Sequence, residues 1–171
     1  MILQFSETIP FDNKAILISG DKSKDFQNVV YLSDEEKKDP TILEIRFEYH
    51  CSPFKTALHV ENLIAVGHEN HFYLFDLENQ ISLLSQEIEG YFAGLYLRYN
   101  MFYVSGAYGI YAIDKNGNIA WANNSLGLDG ILISQFTENE LAGTAEQNPP
   151  GDWKPFTISR KTGDLLSLNA S

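Results

Sequence analysis

The chain has 171 residues, a formal net charge of −11 and one cysteine, Cys51. A length of this size supports one self-sufficient hydrophobic core, and an aromatic content of 13% with only six prolines argues against disorder. A lone cysteine excludes an intramolecular disulfide and a cysteine-based zinc site, and the absence of a basic patch argues against nucleic-acid binding.

Residues 1–14 contain neither a basic stretch nor an apolar run of signal-peptide length, and no segment approaches the ~18 apolar residues that span a bilayer. Together with the single cysteine this points to a cytoplasmic protein without membrane contact. Residues 1–5 form a possible strand. Residues 15–19 read as a strand, 20–25 as a long polar turn, and 29–32 and 41–47 as two further strands. In the last, Ile42, Ile45 and Phe47 alternate with Glu44, Arg46 and Glu48, the pattern of a strand with one wet face. The charged insertion at 33–40 reads as a short helical turn or hairpin tip capped by Ser33 or Asp34.

The middle of the chain repeats itself. Residues 63–81 align without a gap on 101–119, with Val66 on Val104, Phe72 on Ile110, Tyr73 on Tyr111, Asp76 on Asp114 and Ile81 on Ile119, an offset of 114 − 76 = 38 residues. Each copy holds three short apolar runs joined by tight turns. A further strand precedes each, followed by a turn with an asparagine, Asn62 or Asn100, a residue that tolerates left-handed backbone. A fourth copy follows at 131–135, 141–144, 155–159 and 164–168, with a longer loop at 146–153 stiffened by two prolines and a glycine. The expectation is one domain over 1–171 built of four units, at about 5–48, 56–89, 94–123 and 130–168. Units of this length cannot bury their faces alone and must stack.

Gly106, Tyr111, Ala112, Asp114, Gly117 and Trp121 in the third unit, and Thr162-Gly163 in the fourth, give these units a pattern that resembles the blade of the WD-repeat and quinoprotein-like β-propeller superfamily. The resemblance implies an all-β, β-propeller-like array of about four antiparallel four-stranded blades. Such an array either closes as a small propeller within one chain or is completed by dimerisation, so that the protein is a monomer or a homodimer. An antiparallel β-sandwich is the alternative reading of short, evenly spaced strands. Quinoprotein dehydrogenases carry paired cysteines and an acidic cluster that this chain lacks, so neither that activity nor any cofactor is expected. A propeller motif identifies a fold rather than a function.

No nucleophile elbow, zinc-protease or EF-hand spacing occurs, and no catalytic residue stands out. His68-Glu69-Asn70-His71, with His59 nearby, is the densest set of metal-capable side chains, but zinc takes three or four protein ligands and solvated turn residues are the default reading. His50-Cys51 reads as a half-buried connector thiol rather than an activated nucleophile. In a propeller the turns between second and third strands and the links between blades emerge on the same side. That side is expected to gather Asp21, Asp25, His68, His71, Tyr91, Tyr108, Asp129, Asp152 and Trp153. Exposed aromatics among acids suit a protein-binding surface for a basic partner, by analogy a bacterial immunity or inhibitor protein that neutralises a basic toxin. The competing expectation is that Trp153, Tyr91 and Phe92 turn inward and seal the blade junctions. The alternative function is a small-molecule- or metal-binding propeller, or an enzyme of that build, with a central pocket near His68 and His71.

Overall fold

A computed structural model describes residues 3–9, 14–34 and 40–168. The four units form four sheets of four strands each. The second sheet comprises β5 (Lys55–Val60), β6 (Leu63–His68), β7 (His71–Asp76) and β8 (Ile81–Glu87); the third comprises β9 (Phe92–Arg98), β10 (Met101–Gly106), β11 (Ile110–Asp114) and β12 (Ile119–Asn123); the fourth comprises β13 (Ile131–Phe136), β14 (Glu140–Glu146), β15 (Trp153–Ser159) and β16 (Leu165–Leu168). All three run antiparallel in simple meander order. The first sheet departs from them. Its order is β1 (Leu3–Ser6), β3 (Asn28–Asp34), β4 (Leu43–Phe47), β2 (Ile16–Leu17), and β2 lies parallel to β4 because the chain crosses from the inner to the outer edge before returning.

The strands β1, β5, β9 and β13 pack successively on one another and form the inner edge of a propeller-like array. Side chains alternate across each sheet, so a sheet with neighbours on both faces must be apolar on both. β6 shows this directly. Leu63 and Ala65 turn to the third sheet, where they meet Leu95, Phe102, Val104, Tyr111 and Ile113, whereas Ile64 and Val66 turn to the first, against Val30, Leu32, Ile45 and Phe47. In β10 Phe102 faces the second sheet and Tyr103 the fourth, packing with Trp121, Ile133, Leu141, Phe156 and Ile158. The uninterrupted apolar runs of the second and third units are thus the mark of sheets buried on both faces.

These three clusters join first to second, second to third and third to fourth sheet, and among the described residues none joins the fourth to the first. Among the described residues the sheets are therefore joined by packing in the order first, second, third, fourth. The first and fourth sheets differ in what they expose. On β4 Glu44 and Arg46 point away from the core and pair at 2.5 Å; on the fourth sheet the corresponding face carries Leu132, Thr144 and Pro155 in one row and Ala142, Thr157 and Ser167 in the next, and Leu132, Leu165, Leu166 and Leu168 of this sheet are exposed.

Turn residues behave as their chemistry dictates. The Asp114 carboxylate accepts the Asn116 and Asn118 backbone N–H groups, each at 2.8 Å, and Asp76 does the same for Glu78 and Asn79. Trp121 donates its indole N–H to Arg160 O at 3.0 Å and its ring lies on Gly163, whose φ of 75° suits glycine. One expectation is corrected. Asn62 is not the left-handed residue of its turn: Glu61 is, at φ 58°, while the Asn62 amide bonds Asp76 at 2.9 Å; Asn100, at φ 61°, is left-handed as expected. Ser33 and Asp34 are the buried end of β3, which pairing with Gln4 and Leu3 of β1 extends through them. The turn or hairpin tip expected to follow them, 35–39, lies outside the described residues.

A Cβ at Gly109 would stand 1.8 Å from the Asn123 carbonyl oxygen, a backbone atom that cannot move aside. Gly109→Ala is therefore expected to lose about 3 kcal/mol of stability in urea denaturation, with the two strands β11 and β12 losing amide protection first.

Candidate functional site

The ends of the strands bring seven connections to one side of the array: 18–27, the linkers 48–54, 88–91 and 124–130, the turns at 69–70 and 107–109, and the loop 147–152. Hydrogen bonds tie each described linker on both flanks. Ile88 N and Phe92 N donate to Asn70 O and Glu69 O, each at 2.7 Å, and Tyr91 O accepts Ala107 N at 3.0 Å. Linker 124–130 gives Leu126 N and Gly127 N to Tyr108 O and Gly130 N to Ala107 O, while Leu128 N reaches Glu146 O at 2.7 Å on the other side.

For linker 48–54 a side chain does this work. Glu69, at φ 52° and buried, accepts Cys51 N at 2.5 Å and Ser52 N at 2.9 Å on one oxygen and meets His50 Nδ1 at 3.1 Å with the other. Burial acts to raise its pKa, but the two backbone donors, with His50 and His68, outweigh burial and hold it below the usual carboxylate range. Burial lowers the neighbouring His68 to about 4 against the opposing pull of Glu69, so the ring is neutral at pH 7. Burial, reinforced by the hydrogen bond and charge of Glu69, pushes the Cys51 thiol up to about 11. Cys51 is exposed rather than half-buried, and it is a poor nucleophile all the same.

His68 and His71 face each other across β6 and β7 but line separate clefts between the first and second sheets, on either side of Phe47. The first, of about 440 Å³, is bordered by His68, Glu69, His50, Lys55 and Glu7; the second, of about 310 Å³, by His71, Tyr73, Lys22, Tyr49 and Glu87. Among the described residues no three His, Cys, Asp or Glu side chains converge as a metal site would require. Asp21 opens the one-turn 3-10 helix Asp21–Ser23 and pairs with Lys24 at 2.7 Å; its neighbours Lys22 and Ser23, and Phe26 next to Asp25, border the same cleft as His71.

Tyr91, Tyr108, Asp129, Asp152 and Trp153 do come together. Phe54 stacks on Tyr91 with ring centroids 6.4 Å apart and 29° between planes. The Tyr91 hydroxyl donates to Asp129 O at 3.0 Å. Trp153 lies against Gly130, where a Cβ would fall 3.0 Å from its ring and 3.4 Å from the Tyr91 oxygen. Tyr108 packs half-buried on Gly90, and the Asp152 carboxylate pairs with Lys154 at 3.5 Å. Of the three rings considered as possible seals, Phe92 is fully buried and performs that role, Tyr91 is half-buried, and Trp153 stays outward at 40% exposure. Phe54 and Leu128, at 51% and 56%, extend the exposed strip beyond the residues singled out from sequence. Their only sequence signal was membership of linkers that the 38-residue period places on this side.

No family model matches the chain, and no curated protein matches its sequence. Among solved structures, Kluyveromyces lactis Hsv2, a β-propeller protein, matches with a TM-score of 0.40 and 10% identity. The match covers 82% of this chain and 57% of that one, so this chain spans less than two thirds of its length. No helix among the described residues is long and apolar enough to cross a membrane, which leaves β-barrel spans unaddressed.

Removing the Glu69 carboxylate leaves the part-buried Cys51 and Ser52 N–H groups without their acceptor, so Glu69→Ala is expected to cost about 1–2 kcal/mol, and alkylation of Cys51 at pH 8 should speed up as its thiol is released. Both Glu69 and His68 titrate lower in the folded state than unfolded. The unfolded chain therefore binds more protons, and stability falls with pH, from about 6.5 towards 4 for His68 and below about 4.5 for Glu69. Denaturation midpoints measured from pH 7 to 4 should decline, with a shallower decline above pH 4.5 in His68→Phe.

Proposed function

We propose that this protein is a non-enzymatic protein-interaction module that binds a basic protein through the linker side of its array. Stacked repeats characteristically use one extended surface for partners. The observation that carries the reading is the exposure of Phe54, Leu128 and Trp153 on the linker side, with Phe54 stacked on the half-buried Tyr91, in a chain whose charge is −11. Aromatic anchors supply binding energy, and carboxylates such as Glu89, Asp129 and Asp152 orient and accelerate the approach of a cationic partner. A role in the cytoplasm as an immunity or inhibitor protein against a basic toxin fits the same chemistry.

Co-expression with basic products of neighbouring genes, followed by calorimetry on the purified pair, tests this. Phe54→Ala and Trp153→Ala should each weaken binding about tenfold or more, whereas Ile81→Ser, at the opposite ends of the strands, should not. Association should also slow as salt is raised. A tight complex indifferent to both aromatic substitutions would place the binding surface elsewhere.

A further inference from the structure

The aromatic strip has features that restrict the kind of segment it accepts. Its rings are held in place: Phe54 against Tyr91, and Trp153 against a glycine whose φ of 135° and missing side chain let the indole settle there. The Tyr91 hydroxyl is already engaged by Asp129 O, so this residue presents ring rather than a free polar group. The indole N–H of Trp153 makes no hydrogen bond among the described residues, and the residue is 40% exposed. The strip thus offers flat apolar surfaces and a single donor.

Backbone groups around it are already committed. Tyr91 O takes Ala107 N, Phe92 N goes to Glu69 O, Gly130 N to Ala107 O, and Gly130 O takes Glu146 N. An added β-strand requires a row of open N–H and C=O groups, and these bonds interrupt such a row at Tyr91, Phe92 and Gly130. A helix requires a broad apolar groove for several turns; a single file of three rings does not provide one. A polyproline II segment asks for what is present. Its pyrrolidine rings lie on aromatic faces, its carbonyls accept hydrogen bonds, its prolines carry no N–H to satisfy, and its conformation is set before binding.

We propose that Phe54, Tyr91 and Trp153 receive a proline-rich segment in polyproline II conformation, with the Trp153 indole donating to a ligand carbonyl. The inference rests on the protein-binding reading of this face. Asp129 borders the strip, its backbone carbonyl on the Tyr91 hydroxyl, in a chain whose charge is −11, so the segment carries an arginine or lysine beside its prolines.

The chain's two tryptophans make the test direct, because Trp121 is buried and bonded to Arg160 O while Trp153 is exposed. Three synthetic peptides are titrated against the full chain by tryptophan fluorescence and calorimetry: a ten-residue proline-rich peptide with flanking arginines, the same peptide with alanine for proline, and the same with glutamine for arginine. The expected result is saturable binding of the first with a change in Trp153 emission, and binding at least about tenfold weaker for each of the other two. Phe54→Ala should weaken the first peptide about as much as Trp153→Phe does, with far-UV circular dichroism unchanged. Equal binding of the alanine peptide, still lost in Phe54→Ala, would overturn the proline requirement while leaving the protein-binding strip intact. If none of the peptides perturbs Trp153, the proline inference falls and the strip loses its support as a binding site.

Discussion

The architecture depends on how each linker is held between the sheets it joins. Linker 88–91 is held by the turn of the second sheet through Asn70 O and Glu69 O and by the third through Ala107 N; linker 124–130 is held by Ala107 O and Tyr108 O on one flank and Glu146 on the other. The first linker follows the same scheme with the Glu69 carboxylate as acceptor. Hydrophobic clusters bring neighbouring sheets together, but they are not directional. Hydrogen bonds across the linkers fix which groups point outward, and a buried donor or acceptor left without a partner costs more than the bond itself contributes.

That division of labour explains an array of stacked sheets that carries an ordered surface. The interior sheets, apolar on both faces, tolerate little change, as the close approach of Phe92 to Gly67 and of Asn123 to Gly109 shows. The outer faces of the first and fourth sheets are relieved of that demand and carry Glu44, Arg46, Thr144 and Thr157 beside the exposed Leu132. Linkers are free of core packing on their outer side, and it is there that Phe54, Leu128 and Trp153 stand exposed.

Much of this was legible in the residues. The 38-residue match between Asp76 and Asp114 identifies a structural unit, and strand positions in the second to fourth units follow from apolar runs bounded by Asn, Asp and Gly. The first unit was less legible. Its outer strand Ile16–Leu17 pairs in parallel with β4, a long-range choice that local periodicity does not encode, and Ser33 and Asp34 are recruited into β3 by a partner strand at the other end of the unit. At the site, the period placed Tyr91, Tyr108, Asp129 and Trp153 on a common side. It did not reveal which aromatics stay outward, since Phe92 and Tyr91 are adjacent and only tertiary packing separates their fates. Glu69 read as a solvated residue of a histidine-rich turn, but it is buried; its task as a linker acceptor depends on residues 17–19 positions earlier in the chain.

Amide hydrogen exchange on the native protein probes the clasped linkers most directly. If the linker side is a rigid platform, the amides of Cys51, Ser52, Phe92, Leu126, Leu128 and Gly130 exchange as slowly as strand amides of β6 and β10, and Glu69→Ala releases those of Cys51 and Ser52 selectively. Exchange of these amides at the rate of unstructured loops, while the strands stay protected, would contradict a preorganised binding face.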